Sequence, residues 1–236
     1  MSIFKFKRFQ VVNEKSAMKV NTDGVILGTS VALLPEMKNI LDVGTGTGTI
    51  ALILAQRIEN RSKKYSIDAV EIDADSASEA ATNFKNSLWS QLLKVHHTAL
   101  NNYVPSGQYD LIVSNPPYFE SSLENPNQRT SQARHTKSLS YRDLLEFSAK
   151  YLNDGGRLAF ILPWGDETNV LRYAGALNLF LIRKIEIKTV PRKAVSRVIY
   201  EFSNKKDALR SETFSIHSTT GKYSEDYVEL TKDFYL

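Results

Sequence analysis

The chain has 236 residues, 42% of them hydrophobic and 24% charged, which is the composition of one soluble globular domain, or of a domain with a short extension. It lacks an apolar run of about 18 residues, which excludes a membrane-spanning helix, and its first residues alternate apolar and basic side chains, unlike a secretory signal. The absence of cysteine excludes disulfides and thiolate metal sites and is compatible with the cytoplasmic location that we predict. A net charge of +4 and a pI near 9.1 permit a polyanionic partner without requiring one.

Apolar, β-branched runs alternate with helical patterns along the chain. We predict strands over residues 38–43, 66–71, 94–99, 110–114, 157–162, 181–190 and 197–202. We predict helices over residues 49–57, 75–85, 144–152 and 166–176, with Asp73 and Ser140 as N-terminal caps. This alternation predicts one α/β domain with a doubly wound, mostly parallel, Rossmann-like sheet of seven strands and helices on both faces. Residues 1–35 are predicted to form an N-terminal extension, residues 36–205 the core, and residues 206–236 a C-terminal strand or tail.

Three glycines separate the first predicted strand from the first predicted helix, in Asp42-Val43-Gly44-Thr45-Gly46-Thr47-Gly48. Glycine here allows a tight turn and a close approach of ligand to backbone. The spacing is one residue short of the dinucleotide fingerprint, so the loop alone is weak evidence. The next strand ends in Glu71, about 20 residues further on, where a carboxylate can accept hydrogen bonds from ribose hydroxyls. We predict a nucleoside-binding crevice; the alternative is a plain tight turn with Glu71 as a solvated strand end.

The fourth predicted strand leads into Asn115-Pro116-Pro117-Tyr118. Two consecutive prolines donate no backbone hydrogen bond and hold φ near about −65°, so they predict a stiff, extended loop. The loop presents backbone carbonyls, one amide oxygen and one flat ring to the same small volume, which suits a planar substrate with an NH2 group. The alternative is an ordinary turn, because asparagine before proline is common in turns.

These motifs, in this order, resemble those of the class I S-adenosylmethionine-dependent methyltransferases, and the Asn-Pro-Pro-Tyr loop is similar to that of the branch that methylates amino groups. The resemblance spans about residues 18–202. A narrower resemblance lies upstream, in Phe4-Lys5-Phe6-Lys7-Arg8-Phe9 and Ala17-Met18-Lys19-Val20-Asn21-Thr22-Asp23-Gly24. These two segments are similar to those of the bacterial tRNA (adenine-N6)-methyltransferase family acting on adenosine 37 of a valine tRNA. In that family the second segment covers the cofactor, which implies this role for the extension.

The resemblance implies S-adenosylmethionine as cofactor, transfer of its methyl group to the N6 of a tRNA adenosine, and a monomer with neither metal nor membrane contact. The residues implied for catalysis are Asn115, Pro116, Pro117 and Tyr118. Those implied for cofactor binding are Asp23, Asp42, Gly44, Thr45, Gly46, Gly48, Glu71 and Asn115. For Asp23, and with more weight for Lys19, the alternative is a role in capping a helix that starts near Gly24.

A sulfonium methyl group is already activated, so the protein needs to supply alignment more than acid–base chemistry. We expect Asn115 Oδ1 and the Pro116 carbonyl to accept the two N–H bonds of the amine, which would direct its lone pair at the methyl group. These acceptors would also stabilise the positive charge that develops on nitrogen. Tyr118 would stack on the base, which must first leave its own stack, and this costs least in an unpaired loop such as an anticodon loop.

One position departs from the family pattern. Many relatives carry an acidic residue at the end of the third strand, where it bonds the adenine amino group of the cofactor. This chain has Thr98-Ala99-Leu100-Asn101-Asn102 there, so Asn101 or a backbone group would have to make that contact.

Three basic clusters are candidates for RNA contact, although each could equally be a solvated face. They are Lys5, Lys7 and Arg8 near the start, Arg129, Arg134 and Lys137 in a polar stretch, and Lys188, Arg192, Lys193 and Arg197 around the last strand turn.

Two other functions stay open. Protein glutamine N-methyltransferases carry the same Asn-Pro-Pro-Tyr loop, with a side-chain amide in place of the base amine; the basic charge and the upstream segments argue against this alternative. The second is an RNA-binding module that binds cofactor but has lost transfer, and the intact Asn115 argues against it.

Overall fold

The computed structural model describes residues 2–16, 18–59, 65–117 and 139–236. The N-terminal strands β1 (Ile3–Lys5) and β2 (Gln10–Val12) form a separate antiparallel pair. The other strands are β3 (Asn39–Val43), β4 (Ser66–Glu71), β5 (Leu93–His97), β6 (Tyr109–Ser114), β7 (Leu152–Pro163), β8 (Phe180–Lys188), β9 (Val195–Ser203) and β10 (Arg210–Ser215). The helices are α1 (Thr22–Ser30), α2 (Thr49–Ile58), α3 (Ala74–Lys85), α4 (Tyr141–Tyr151), α5 (Glu167–Ala176) and α6 (Glu225–Thr231).

Strands β3 to β10 form one eight-stranded sheet in the order β10-β8-β9-β7-β6-β3-β4-β5. All neighbouring pairs are parallel except those of β9, which runs antiparallel to both β7 and β8. The predicted α/β class with a mostly parallel sheet is therefore confirmed. Strand β3 lies between β4 and β6. The chain therefore first adds β4 and β5 on one side of β3 and then adds β6 and the later strands on the other side.

The helices cover both faces of the sheet, as predicted. Helices α1, α2, α3 and α6 contribute to one buried apolar cluster, with Ile26 of α1 and Leu52 of α2 fully buried. Helices α4 and α5 contribute to the cluster on the other face, through side chains such as Leu144 and Val170. Because side chains alternate along a strand, Ile40 of β3 belongs to the first cluster and Leu41 to the second.

The prediction of seven strands was wrong by one. The eighth strand, β10, lies in the segment predicted as a C-terminal strand or tail and pairs in parallel with β8 at the edge of the sheet. Its sequence, Arg-Ser-Glu-Thr-Phe-Ser, has only Phe214 to pack against the core, so its apolar pattern was too weak to predict a sheet position.

Two predicted caps are confirmed. Asp73 accepts the backbone N–H of Ser76 at 2.8 Å at the start of α3. Ser140 and Asp143 form a capping box, which starts α4 at residue 141 rather than at the predicted 144. Strand β7 begins at residue 152 rather than 157, because an irregularity opposite Tyr109 carries the pairing back past the two glycines.

The aromatic side chains near the N-terminus pack against the main core. Phe6 and Phe9 are buried and stacked with ring centroids 4.5 Å apart, and Phe4 lies beside Tyr235. Within the described ranges, none of the helices is long and apolar enough to cross a bilayer.

Gly48 precedes α2 with φ of +83°, and a Cβ at this position would lie 2.5 Å from Cε1 of Phe84 on α3. We expect Gly48→Ala to lower the free energy of unfolding by about 2–4 kcal/mol, because it combines left-handed strain with overpacking. Urea denaturation measures this loss. Gly107→Ala is the matched control, since its Cβ would meet no atom of the described residues within 4 Å, and its expected change is within about 0.5 kcal/mol. Equal stabilities of the two variants would contradict the packing described.

Candidate active site

The site lies where the two central parallel strands end side by side. Val43, the last residue of β3, is in register with Ser114, the last residue of β6, and Ser114 Oγ donates to the Val43 carbonyl at 2.8 Å. The residues that come next, Gly44 and Asn115, therefore emerge next to each other. Because the strand order diverges here, with β4 and β5 on one side and β7 on the other, a crevice opens at this edge.

The loop between β3 and α2 alternates left-handed glycines with other residues. Gly44, Gly46 and Gly48 have φ of +68°, +56° and +83°, which accounts for their spacing. The loop is tied to β4, since the N–H groups of Gly44 and Thr45 both donate to the carbonyl of Val70, at 2.8 and 3.2 Å.

Glu71 holds the same loop through its side chain. Its Oε2 accepts the N–H of Gly46 at 2.8 Å, and its Oε1 accepts the N–H of Asp73 at 2.9 Å. Glu71 is only 8% exposed, so the alternative of a solvated strand end is wrong. The carboxylate lies against the glycine loop, and its remaining lone pairs can accept further hydrogen bonds.

Asp42 lies beneath the loop, fully buried in β3. Its Oδ2 accepts from the Thr45 hydroxyl at 2.6 Å and from the N–H of Ala51, in the first turn of α2, at 3.2 Å. Its Oδ1 is buried without a hydrogen-bond partner among the described residues. Burial is the main reason that the pKa of Asp42 is raised from 3.8 to about 7, although the bonds from Thr45 and Ala51 oppose this shift. Asp42 thus shapes the loop from below.

The asparagine–proline segment directly succeeds β6. Asn115 is 7% exposed, Pro116 is buried and Pro117 is exposed. Asn115 Nδ2 lies 3.4 Å from Asn21 Oδ1 and 3.9 Å from Met18 Sδ, so the N-terminal segment reaches over this side chain. Tyr118 lies outside the described residues, and its predicted stacking role stays a prediction.

Neither Lys19 nor Asp23, the two residues considered as caps from the sequence, is the N-terminal cap of α1. Asn21 is the cap, because its Oδ1 accepts the N–H of Gly24 at 2.8 Å. Lys19 Nζ instead donates to the carbonyl of Asn13 at 2.9 Å and to that of Glu14. Asp23, in the first turn of α1, accepts from Arg197 Nε of β9 at 2.9 Å.

One cavity joins the glycine loop, the N-terminal segment and Asn115. The described residues that line it are Met18, Lys19, Val20, Asn21, Gly24, Gly44, Thr45, Gly46, Thr47, Thr49, Ile50 and Asn115. Of the predicted cofactor residues, Gly44, Thr45, Gly46 and Asn115 thus come together in its wall. Asp42 and Gly48 support the loop from behind, Glu71 bonds to its edge, and Asp23 faces Arg197.

Met18 and Asn21 are among the wall residues that were not named individually as site residues, although their segment was expected to cover the cofactor. Asn21 had a local signal, since an asparagine three residues before Gly24 is a strong helix cap. Its contact with Asn115 joins residues that are 94 positions apart and had no such signal. Asn101, the candidate adenine contact, is exposed in a short 3-10 turn after β5. Within the described ranges, no three His, Cys, Asp or Glu side chains group in a way that could hold a metal ion.

The raised pKa of Asp42 predicts a pH dependence of stability. In the unfolded chain Asp42 ionises near 3.8, and in the folded protein near 7, so its contribution is fully present below about pH 4 and is lost as the pH rises to about 7. Relative to Asp42→Asn, the wild-type free energy of unfolding should fall by on the order of 4 kcal/mol across this window and stay level above it. Urea denaturation of both proteins at a series of pH values measures the difference. A difference that does not change with pH would contradict the burial of an ionisable Asp42.

Solved structures share this fold. A predicted O-methyltransferase from Agrobacterium tumefaciens superimposes with a TM-score of 0.70 at 16% identity, covering 90% of this chain and 96% of that one. A putative RNA methyltransferase from Pyrococcus horikoshii superimposes with a TM-score of 0.55 at 16% identity, covering 82% of this chain and 90% of that one. At 16% sequence identity, the similarity to these two structures shows a shared fold only.

Proteins related to this chain by sequence share a much higher identity with it than these solved structures do. The family profile described as methyltransferase small domain matches residues 16–164. A protein of Trichodesmium erythraeum named tRNA1(Val) (adenine(37)-N6)-methyltransferase is 43% identical over 99% of this chain and 97% of its own length. A protein of the same name from Haemophilus influenzae is 37% identical over 100% of this chain and 99% of its own length. The chain therefore belongs to the methyltransferase small-domain family and, within it, to the family of proteins named tRNA1(Val) (adenine(37)-N6)-methyltransferase.

Proposed function

We propose that this protein transfers the methyl group of S-adenosylmethionine to the exocyclic N6 of an adenosine in tRNA, at position 37 of a valine tRNA. The observation that carries the proposal is the cavity in which Gly44, Thr45 and Gly46 face Asn115. The names of full-length relatives support the acceptor and its position. A tRNA substrate also agrees with the predicted cytoplasmic location.

The loop fits an adenosyl cofactor. A Cβ at Gly46 would lie 3.8 Å from the Met18 carbonyl, so a side chain there would enter the gap between loop and N-terminal segment. Glu71, beside the loop, has lone pairs for ribose hydroxyls, and Asn21 and Thr49 add polar groups to the wall. When bound, the cofactor supplies an activated methyl group. Gly44, Thr45, Gly46, Gly48, Glu71, Asp42 and Asp23 are proposed to hold it, directly or, for the buried ones, by shaping the loop.

The chain's own contribution to transfer is alignment. We assign Asn115 Oδ1 and the Pro116 carbonyl as acceptors for the two N–H bonds of the amine, with Pro117 stiffening the loop and Tyr118 stacking on the base. Both acceptors belong to a segment anchored by β6 and largely buried, which limits their reorganisation during the reaction. Their partial negative charge would be complementary to the charge that develops on nitrogen.

Asn115→Ala tests this assignment. Loss of the amide acceptor should lower the transfer rate to tRNA by about 10²–10³-fold, as for other preorganised groups that stabilise developing charge. Affinity for S-adenosylmethionine should stay nearly unchanged, because the glycine loop and Glu71 remain. Single-turnover transfer of labelled methyl groups gives the rate, and calorimetric titration gives the affinity. Equal losses in both would mean that the segment has a structural role only.

The acceptor class is tested with the wild-type protein, labelled S-adenosylmethionine, and either unmodified bulk tRNA or protein extract. Label in tRNA, located at N6 of adenosine 37 by mass spectrometry of digested tRNA, is the expected result. Label in protein alone would overturn the tRNA proposal in favour of glutamine N-methylation. Binding of cofactor without any label would favour the non-catalytic module.

The two basic clusters within the described residues lie at different distances from the cavity. Arg8 pairs with Glu59 at 2.7 Å, at the far end of α2, and this ten-residue helix is about 15 Å long. The second cluster lies outside the described residues. The third surrounds the turn between β8 and β9, which projects from the same edge as the cavity because Pro163, at the end of β7, is in register with Arg197.

We assign the turn between β8 and β9 as a phosphate-contacting surface for the tRNA. From Lys188 to Arg197 the sequence has four basic and no acidic residues, and Arg192 and Lys193 at its tip are exposed. The Arg197–Asp23 ion pair joins the turn to α1, beside the cavity. Exposed cations at this edge complement the phosphates that flank a base held at Asn115.

Replacing Arg192 and Lys193 with alanine should raise KM for tRNA about tenfold or more at physiological salt. The slope of log affinity against log salt should fall by about 1–2, since two phosphate contacts are lost. The matched control is the Lys205→Ala, Lys206→Ala double variant, which removes the same charge from exposed positions beyond the other end of β9, about 30 Å away for a nine-residue strand. The same KM in both double variants would exclude this surface.

A further inference from the structure

Two amide side chains meet at the wall of the cavity. Asn21, the cap of α1, places its Oδ1 3.4 Å from Nδ2 of Asn115, and Met18 Sδ lies 3.9 Å from the same nitrogen. Asn115 was predicted from its loop, whereas Asn21 was predicted only as part of the N-terminal segment that covers the cofactor and had no predicted role in transfer. Any role of Asn21 in transfer rests on the acceptor role proposed for Asn115.

The other hydrogen bonds of Asn21 fix which atom it turns toward Asn115. Its Oδ1 accepts the N–H of Gly24 at 2.8 Å, and its Nδ2 donates to the carbonyl of Lys19 at 3.0 Å. Reversing the amide would bring its NH2 group against the Gly24 N–H and its oxygen against the Lys19 carbonyl. Asn21 is therefore held with its oxygen toward Asn115.

An oxygen at this position determines the orientation of the Asn115 amide. The amide has one oxygen and one nitrogen on a planar carbon, and only the NH2 group can donate to Asn21 Oδ1. When Asn115 Nδ2 points toward Asn21, Asn115 Oδ1 lies on the opposite side of the amide carbon and points away from Asn21. The reversed amide would bring two oxygens together and would turn an NH2 group, which accepts no hydrogen bond, toward the substrate amine.

We infer that Asn21 is a positioning residue, which holds Asn115 in the orientation that presents its oxygen to the amine of the substrate. The N-terminal segment then contributes to the rate of transfer as well as to the cavity wall. This role is separate from the cap of α1, because the cap requires only the bond to Gly24. Asn21 itself touches Asn115, and it acts through that residue.

Serine and aspartate separate the two roles. Serine is as good a helix cap as asparagine, but its side chain is one bond shorter, so its capping hydroxyl lies further from Asn115 than Asn21 Oδ1 does. Aspartate also caps and keeps one oxygen at the position of Asn21 Oδ1, although its second oxygen replaces Nδ2 and loses the bond to the Lys19 carbonyl. We expect Asn21→Ser to lower kcat about 10- to 100-fold with an unchanged melting temperature, the range expected when a reacting group loses its alignment. Asn21→Asp should keep a higher kcat than Asn21→Ser, because it still presents an oxygen to Nδ2 of Asn115.

A double-mutant cycle gives the decisive measurement. If Asn21 acts through Asn115, Asn21→Ser should have no further effect on kcat in the Asn115→Ala background. Single-turnover methyl transfer, with S-adenosylmethionine saturating, provides all four rates. A wild-type kcat for Asn21→Ser, a loss in Asn21→Asp equal to that in Asn21→Ser, or fully additive losses in the cycle would each overturn the inference.

The outcome is distinguishable from a failure of the proposed function. The rates are measured on whichever amine substrate the wild-type protein labels, whether tRNA or protein, since an amide acceptor serves either. Absence of label from tRNA would overturn the proposed substrate and leave the test of Asn21 intact.

Discussion

Two buried carboxylates on neighbouring strands hold the loop on which this site depends. Asp42 binds the loop from below through Thr45 and the first turn of α2, and Glu71 binds it from the side through the N–H of Gly46. Both interactions use the positive end of a peptide dipole, and Asp42 lies at the N-terminus of α2, where a negative charge is favoured. The burial that raises the pKa of Asp42 shows that this arrangement has an electrostatic cost, to which the charge of Glu71 adds. The two carboxylates therefore hold the glycine loop, with its left-handed residues, in a fixed position at the end of β3.

The second half of the site depends on α1, and α1 is fixed at both of its ends. At its start, Asn21 caps the helix and contacts Asn115, and Asp23 pairs with Arg197. At its end, Arg183 donates to the carbonyl of Ser30, the last residue of α1, at 2.7 Å, and the fully buried Glu201 accepts from both Arg183 and the N–H of Ala32. An ion pair between β8 and β9, in which Glu201 is fully buried, thus holds one end of a helix whose cap at the other end contacts Asn115. Substitutions at Arg183 or Glu201 would act on the site through α1, although neither lines the cavity.

The parts of this protein that could be predicted from the sequence are those specified by local patterns. The strand–glycine–helix segment around Gly46, the caps at Asp73 and Ser140, and the parallel sheet are all predicted by periodicity and capping chemistry. To predict that Gly44 and Asn115 are neighbours, one further rule is needed: the carboxyl ends of parallel strands lie at the same edge of a sheet. A C-terminal strand or tail was predicted, but the place of β10 in the sheet could not be, since its polar sequence gains that place from pairing with β8. The contact between Asn21 and Asn115 could not be predicted either, because it depends on how α1 packs against α2 and the sheet.

The division of the sheet at β3 and β6 would let one edge serve the two ligands proposed. The glycine loop and Glu71 belong to β3 and β4, so the groups proposed to hold the methyl donor lie on one side of the division. Asn115 and the basic turn belong to β6, β8 and β9, so the groups proposed to hold the acceptor lie on the other side. The N-terminal segment crosses the division, since Met18 lies near both Gly46 and Asn115. A donor and an acceptor bound on the two sides would therefore meet beneath this segment, and its asparagine could set the orientation of the acceptor group only where donor and acceptor face each other.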